Sequence, residues 1–387
     1  MIYHSIWQLA LIIVAVKIAG DLSVRLGQPA VLGKLVVGVL LGPAVLGVVE
    51  HTVITEFMAE IGVLLLMFIA GLETDLSTMR QNWLAAVAVA VGGVIMPFLG
   101  TYGVAAAFGF DQTHALFFST LFCATSVSIS VQVLKELNRL NSREGAAILG
   151  AAVADDVLVV LLLAVIMSVV GVGTGMSIGT TIGLKVLFFA VVIAAGWWLV
   201  PRLLKWLSGL RITEPVASIA LVIGLAFAWF ADETGMAGII GSFAAGLAIS
   251  RTPYRHAVAE KLEPVAYTVF VPVFFFSIGL NVSFDGLGNQ VWFALVLSLM
   301  AILTKLIGCG LGARLTGFGT RSSVAIGTAM ISRGEVALII ASIGLGSGLL
   351  NPEYYTSAII VVLVTTLVTP PLLKLAFGKR AADPEHA

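Results

Sequence analysis

The sequence predicts an all-α polytopic membrane protein of about thirteen transmembrane helices, and three observations together predict it. Hydrophobic residues make up 59% of the chain and charged residues only 11%, outside the range of soluble domains. Apolar runs of bilayer-crossing length recur from end to end. Between those runs, basic residues gather in alternate connections, a bias that membrane insertion imposes and a soluble core does not.

Windows of about 19 residues place the spans in order. The first, near 4–24, follows MIYHSIWQ, which lacks the positive flank of a cleaved signal and therefore reads as a retained helix. The second and third lie near 29–48 and 56–72. Spans near 82–108, 114–137 and 146–170 follow, the fifth carrying CATSVSIS at 123–130 and the sixth GAAVADD at 150–156. A run near 177–207 is long enough to tilt and stands alone as a connector. The rest lie near 215–231, 236–250, 264–281, 289–313, 322–347 and 354–377.

Counting from an outside N-terminus, the inner connections hold Arg25, Arg80, Lys135, Arg139, Arg143, Arg202, Lys205, Arg211, Arg251, Arg255, Lys261, Arg314 and Arg321, and the tail adds Lys374, Lys379 and Arg380. The outer connections hold acids instead, among them Glu50, Asp111, Asp232 and Glu353. The expected topology is N-terminus outside, C-terminus cytoplasmic. Lys17 and Lys34 sit near inner helix ends and Lys185 near an outer one, where long side chains snorkel to the interface.

Two echoes point to an internal repeat. MFIAGLETD at 67–75 resembles FFSIGLNVS at 275–283, and AVLGKLVVGVLL at 30–41 shares its glycine spacing with GIIGSFAAGLAI at 238–249. Six spans, a linker helix and six more give inverted repeats, an arrangement that puts a substrate site near the midplane. The glycine-rich stretches themselves read as close helix packing, within the chain or at a dimer interface.

The chemistry concentrates in a few positions. Asp155 and Asp156 stand side by side in an apolar run with about twenty uncharged residues after them, and carboxylates at such depth mark ion or proton pathways. On one helix, neighbours lie about 100° apart, so the two are expected to have different partners. Lys305 and Arg333 are the deep cations that could pair with them. The hydroxyls of Thr125 and Ser126 in the fifth span, and ISRGEVA at 331–337 in the equivalent place of the second half, read as interruptions of two helices. Interrupted helices free carbonyls for a cation and expose helix ends. Asp156, Thr125 and Ser126 supply the hard oxygens that Na⁺ prefers. Lys305 is the expected counter-ion of Asp155, a buried pair that a cation or proton could break.

These motifs, ATSVSIS, GAAVADD, Lys305 and ISRGE, carry a resemblance over essentially the whole chain to the NapA/GerN-type sodium/proton antiporters, in the Kef-related branch of the monovalent cation:proton antiporter superfamily. The resemblance implies an NhaA-like fold with two crossing discontinuous helices, a core domain and a dimerisation domain. It implies dimerisation helices at 1–81 and 215–288, ion-transport helices at 82–170 and 289–387, and a linker helix within 171–214. By position, Asp156 matches the ion-binding carboxylate, Asp155 the lysine-paired aspartate, Lys305 that lysine, and Thr125 and Ser126 the unwound segment. Glu335 matches the acidic residue at the crossing, and with Arg333 it is expected to compensate the charge of the broken helices.

The expected activity is therefore secondary transport, not enzymatic catalysis. Cytoplasmic Na⁺ or Li⁺ leaves against external H⁺, with two protons per cation as the resemblance of the paired aspartates to the electrogenic members implies, from a homodimer in the inner cell membrane. No cofactor and no nucleic-acid partner are expected. The alternatives are a K⁺/H⁺ antiporter or organic-anion carrier on the same fold, a channel, and an intramembrane aspartyl protease. The protease needs two aspartates facing each other from separate helices, and here they are consecutive. Cys123 and Cys309 fall inside spans, the five histidines lie at ends or in connections, and GVGTG at 171–175 lacks the preceding strand of a phosphate loop.

Overall fold

The computed structural model describes residues 2–50, 52–170, 178–211, 213–281, 288 and 290–378, and every regular element among them is helical. In chain order these are α1 (Ile2–Arg25), α2 (Ala30–Leu41), α3 (Val53–Glu73), α4 (Leu76–Gln81), α5 (Trp83–Ala107), α6 (Gln112–Leu121), α7 (Val127–Glu136), α8 (Arg143–Val170) and α9 (Ile178–Ala194). They continue as α10 (Val200–Leu207), α11 (Pro215–Glu233), α12 (Gly238–Ser250), α13 (Arg255–Val265), α14 (Val271–Leu280), α15 (Val291–Leu315), α16 (Thr320–Ala329), α17 (Glu335–Ser347) and α18 (Pro352–Phe377). Wider π turns at Ala195–Leu199 and Ala266–Phe270 join α9 to α10 and α13 to α14.

Among the described residues, nine helical runs are long and apolar enough to cross a membrane. Large apolar side chains such as Ile95, Leu99, Leu295 and Leu299 are left exposed on them, as a hydrocarbon solvent allows. Helix ends follow local chemistry. Thr52 caps α3 in a reciprocal box with Thr55. The Asp111 carboxylate accepts from the Thr113 amide to start α6, and Gly348 closes α17 in the left-handed conformation. Each predicted span coincides with helix, and two boundaries shift. The helix of the second ends at Leu41 rather than near residue 48. The tenth begins at Arg255 rather than near residue 264, because its first turns, RHAVAEKLE, are polar helix that a hydropathy window does not see.

The chain divides into two compact units. The first comprises Met1–Ala19, Lys34–Gln81 and Asp156–Ser283; the second comprises Gly20–Gly33, Asn82–Asp155 and Phe284–Ala387.

Within the first unit, helices approach to backbone contact at glycines. A side chain on Gly38 of α2 would collide with the Phe276 carbonyl of α14, and one on Gly246 of α12 with the Phe68 carbonyl of α3. Likewise Gly71 backs onto the Phe243 carbonyl, and Gly279 onto the Leu35 carbonyl. One shift along the chain carries Gly38 to Gly246, Phe68 to Phe276, Gly71 to Gly279 and Leu35 to Phe243, so each contact is the image of another. The two sequence echoes lie on these contacts, and the glycine-rich stretches pack inside the chain. Lys185 corrects an expectation here. It does not snorkel outward; it is buried and donates to the carbonyls of Thr234, at 2.9 Å, and Gly235. These carbonyls terminate α11, where a cation is favourable.

Within the second unit, the same shift carries α5 onto α15 and α6 onto α16, end for end. Gly92 of α5 and Gly308 of α15 each exclude a side chain by meeting the other's carbonyl, and Gly312 meets that of Ala88. Pro97 sits inside α5, and the Thr101 hydroxyl donates to the Pro97 carbonyl at 2.6 Å. An aromatic cluster, with Phe110 4.4 Å from Tyr354 and stacked 5.4 Å from Phe293, packs beside α6.

Candidate functional site

The fifth and twelfth spans are both broken. Helix α6 stops at Leu121 with Phe122 as its cap, and α7 resumes at Val127 after Ser126. Helix α16 stops at Ala329, and α17 resumes at Glu335. The sequence places small polar residues at both interruptions, and the two breaks bond to each other. The Ser126 amide donates to the Ser332 carbonyl at 2.8 Å. In return, the Ser332 hydroxyl donates to the Ser126 carbonyl at 2.6 Å. The Ser130 hydroxyl also donates to the Ala329 carbonyl. These bonds answer the main difficulty of unwound backbone at membrane depth, where an unpaired amide or carbonyl costs several kcal/mol.

Arg333 meets two further carbonyls at the breaks. Fully buried, its guanidinium donates to the Phe122 carbonyl at 3.0 Å and to the Ile331 carbonyl. One is the end of α6 and the other lies just past the end of α16, so a single cation faces the negative ends of two half-helices. The Thr366 hydroxyl of α18 donates to Arg333's own carbonyl at 2.6 Å. The hydrogen bonds of Arg333 thus go to carbonyls at both breaks. Glu335 is the first residue of α17, where an acid suits the positive helix end; its side chain lies outside the described residues.

Asp155 and Asp156 follow each other on α8, at 0% and 4% exposure. The Lys305 ammonium of α15 stands 3.0 Å from Asp155 Oδ1 and 3.3 Å from Oδ2, with neither side chain exposed. In a medium of low dielectric, such a pair is costly to desolvate and costlier to break. The Thr125 hydroxyl lies beside the Asp155 carboxylate but makes no hydrogen bond of regular geometry. Ser128, the second residue of α7, also holds a buried hydroxyl without such a bond. Oxygens already desolvated and not yet committed are what an incoming cation can use. Among the described residues, no cluster of three or more His, Cys, Asp or Glu side chains is placed to hold a metal ion.

Of the residues singled out from sequence, the second unit gathers Asp155, Lys305, Thr125, Ser126 and Arg333. Sequence reasoning passed over Ser332, which supplies both a hydroxyl and a carbonyl to the paired breaks, although it stood inside the ISRGE motif. Thr366 was also missed, since one threonine in an apolar helix carries no signal of its partner. GVGTG lies outside the described residues.

The family described as "Sodium/hydrogen exchanger, transmembrane" matches residues 10–377. The Na(+)/H(+)-K(+) antiporter GerN of Bacillus cereus is 54% identical over 98% of each chain. The Na(+)/H(+) antiporter of Enterococcus hirae is 43% identical over 95% of this chain and 96% of its own. Among solved structures, the sodium proton antiporter MjNhaP1 from Methanocaldococcus jannaschii superposes with a TM-score of 0.75 at 15% identity, covering 99% of this chain and all of that one.

Proposed function

The chain belongs to the sodium/hydrogen exchanger family, and from that premise we propose that it is a secondary antiporter exchanging cytoplasmic Na⁺ or Li⁺ for external H⁺. The observation that carries the reading is the buried constellation itself: two helix breaks bonded back to back, buried hydroxyls at Thr125 and Ser128, and two consecutive carboxylates, one held by a lysine. Asp156 binds the cation, together with hydroxyls and carbonyls where α6 and α7 part. Protons compete for the same carboxylate, so loading with one ion requires release of the other.

The Lys305–Asp155 pair serves as the second proton-sensitive element. Protonation of Asp155 breaks the pair, and its deprotonation remakes it. Two titrating groups per cation make the exchange electrogenic at two protons to one Na⁺, so a membrane potential of 100 mV contributes ~2.3 kcal/mol per cycle. Names of similar proteins support Na⁺, and one of them includes K⁺, which keeps K⁺/H⁺ exchange as the second reading.

The proposal extends to the architecture: thirteen membrane crossings in inverted repeats, with the two broken helices crossing at the ion site as in NhaA-like folds. Helices of 82–170 and 289–387 act as the transport core, and those of 1–81 and 215–288 as the dimerisation face of a homodimer in the cell membrane, N-terminus outside. Proton flux in proteoliposomes, with Na⁺, Li⁺ and K⁺ added in turn under a potassium–valinomycin clamp, tests it. A voltage-driven response to Na⁺ and Li⁺ is expected; a response to K⁺ alone, or none, overturns the Na⁺ reading.

A further inference from the structure

Building on that antiport reading, we infer that Gly93 is a positioning residue: the side chain it lacks is the notch in α5 that lets the Lys305 ammonium reach Asp155. A glycine inside a helix costs about 1 kcal/mol relative to alanine, so it needs a reason. Backbone conformation is not the reason, because Gly93 is not among the positive-φ glycines. Space is. A methyl built on Gly93 would stand 2.5 Å from the Cys309 sulfur, 3.2 Å from Lys305 Nζ and 3.7 Å from Lys305 Cδ.

Gly92, its neighbour, has a different task. There the obstacle is the Gly308 backbone, so Gly92 sets how closely α5 and α15 approach. At Gly93 the space is filled by side chains of the ion-pair machinery. Lys305 and Cys309 are one turn apart and share a face of α15. Just beyond, the Cys123 thiol occupies the Val94 carbonyl at 3.5 Å. The ammonium thus passes α5 where Gly93 leaves out a β-carbon and lands on both Asp155 oxygens. A methyl there would displace Nζ by tenths of an ångström and lay an apolar group against the charge. In a low-dielectric interior the attraction falls with that distance. The Lys305–Asp155 pair would be held less firmly.

The test uses full-length protein and reads the thermal unfolding midpoint in detergent, which does not depend on transport. Cys309→Ala removes the sulfur that would clash and is the background for Gly93→Ala. We expect Gly93→Ala to lower the midpoint of the Cys309→Ala protein by several degrees, and to cause no further loss once Asp155→Asn has removed the charge that the ammonium reaches. An unchanged midpoint in the double variant, or an equal loss without the Asp155 charge, overturns the inference. Flux through the wild type in proteoliposomes separates the two claims: failure to exchange Na⁺ for H⁺ refutes the antiport reading and leaves the unfolding comparison to decide the role of Gly93.

Discussion

Arg333 donates to the carbonyl of Phe122 at 3.0 Å across a sequence separation of 211 residues, so the end of one half-helix is held by a cation that follows the end of another. Hydrogen bonds to a charged group are worth about 1.5–3 kcal/mol each. Arg333→Gln is expected to lower the thermal unfolding temperature in detergent and abolish exchange. Arg333→Lys, which keeps the charge but loses the planar fork, should fall between. A Gln variant as stable and active as the wild type would remove this role.

Lys305→Ala leaves Asp155 buried and unpaired, at a cost of about 3–5 kcal/mol. The double replacement Lys305→Gln with Asp155→Asn removes both charges and should recover most of the stability. Voltage sensitivity of transport should not return with it. Unfolding curves and flux under a voltage clamp separate the two effects.

Asp156→Asn is nearly isosteric and is expected to leave the fold intact while abolishing cation-dependent proton flux. In the wild type, competition between one proton and one cation predicts that the apparent KM for Na⁺ falls up to about tenfold per unit rise in pH on the acidic side. A KM independent of pH would contradict a shared site.

The helix crossing at Gly92 and Gly308 is backbone against backbone. Gly308→Ala therefore cannot be absorbed by a rotamer change, and overpacking of about 1–3 kcal/mol is expected from thermal unfolding. Gly103→Ala is the control. A side chain there meets nothing within 4 Å, so the same substitution in the same helix pair should be neutral or stabilising.

Lys185→Met removes the cation from the end of α11. The carbonyls of Thr234 and Gly235 then lose a buried donor, and a loss of about 1–3 kcal/mol is expected. Lys185→Arg should retain part of it. Unchanged stability of the Met variant would return Lys185 to a peripheral role.

What was legible in the sequence follows from what hydrocarbon penalises. Asp155, Lys305 and Arg333 stood out because charges at that depth are expensive, and the two breaks stood out because small polar residues interrupt apolar helices. The partners were harder to read. Arg333 was read both as a candidate partner for the carboxylates and as compensation for the broken helices, and only geometry names the carbonyls it meets. Lys185 was misjudged because a position near a helix end suggests an escape to water, whereas a neighbouring helix terminus offers a better partner inside. Gly93 was invisible among many glycines, since spacing cannot say what fills the room a glycine leaves.

The mirrored glycine contacts of the first unit have one more consequence. Contacts in which each pair has an exchanged image are those of an isologous interface, the self-complementary kind made by identical subunits about a two-fold axis. Gly38 on Phe276 and Gly246 on Phe68 are thus a dimer contact folded into a single polypeptide. Such a seam constrains the divergence of its halves, because bulk added at one glycine strains a joint that its counterpart also holds. In the second unit the same shift carries Thr125 to Arg333, so there the halves differ in chemistry.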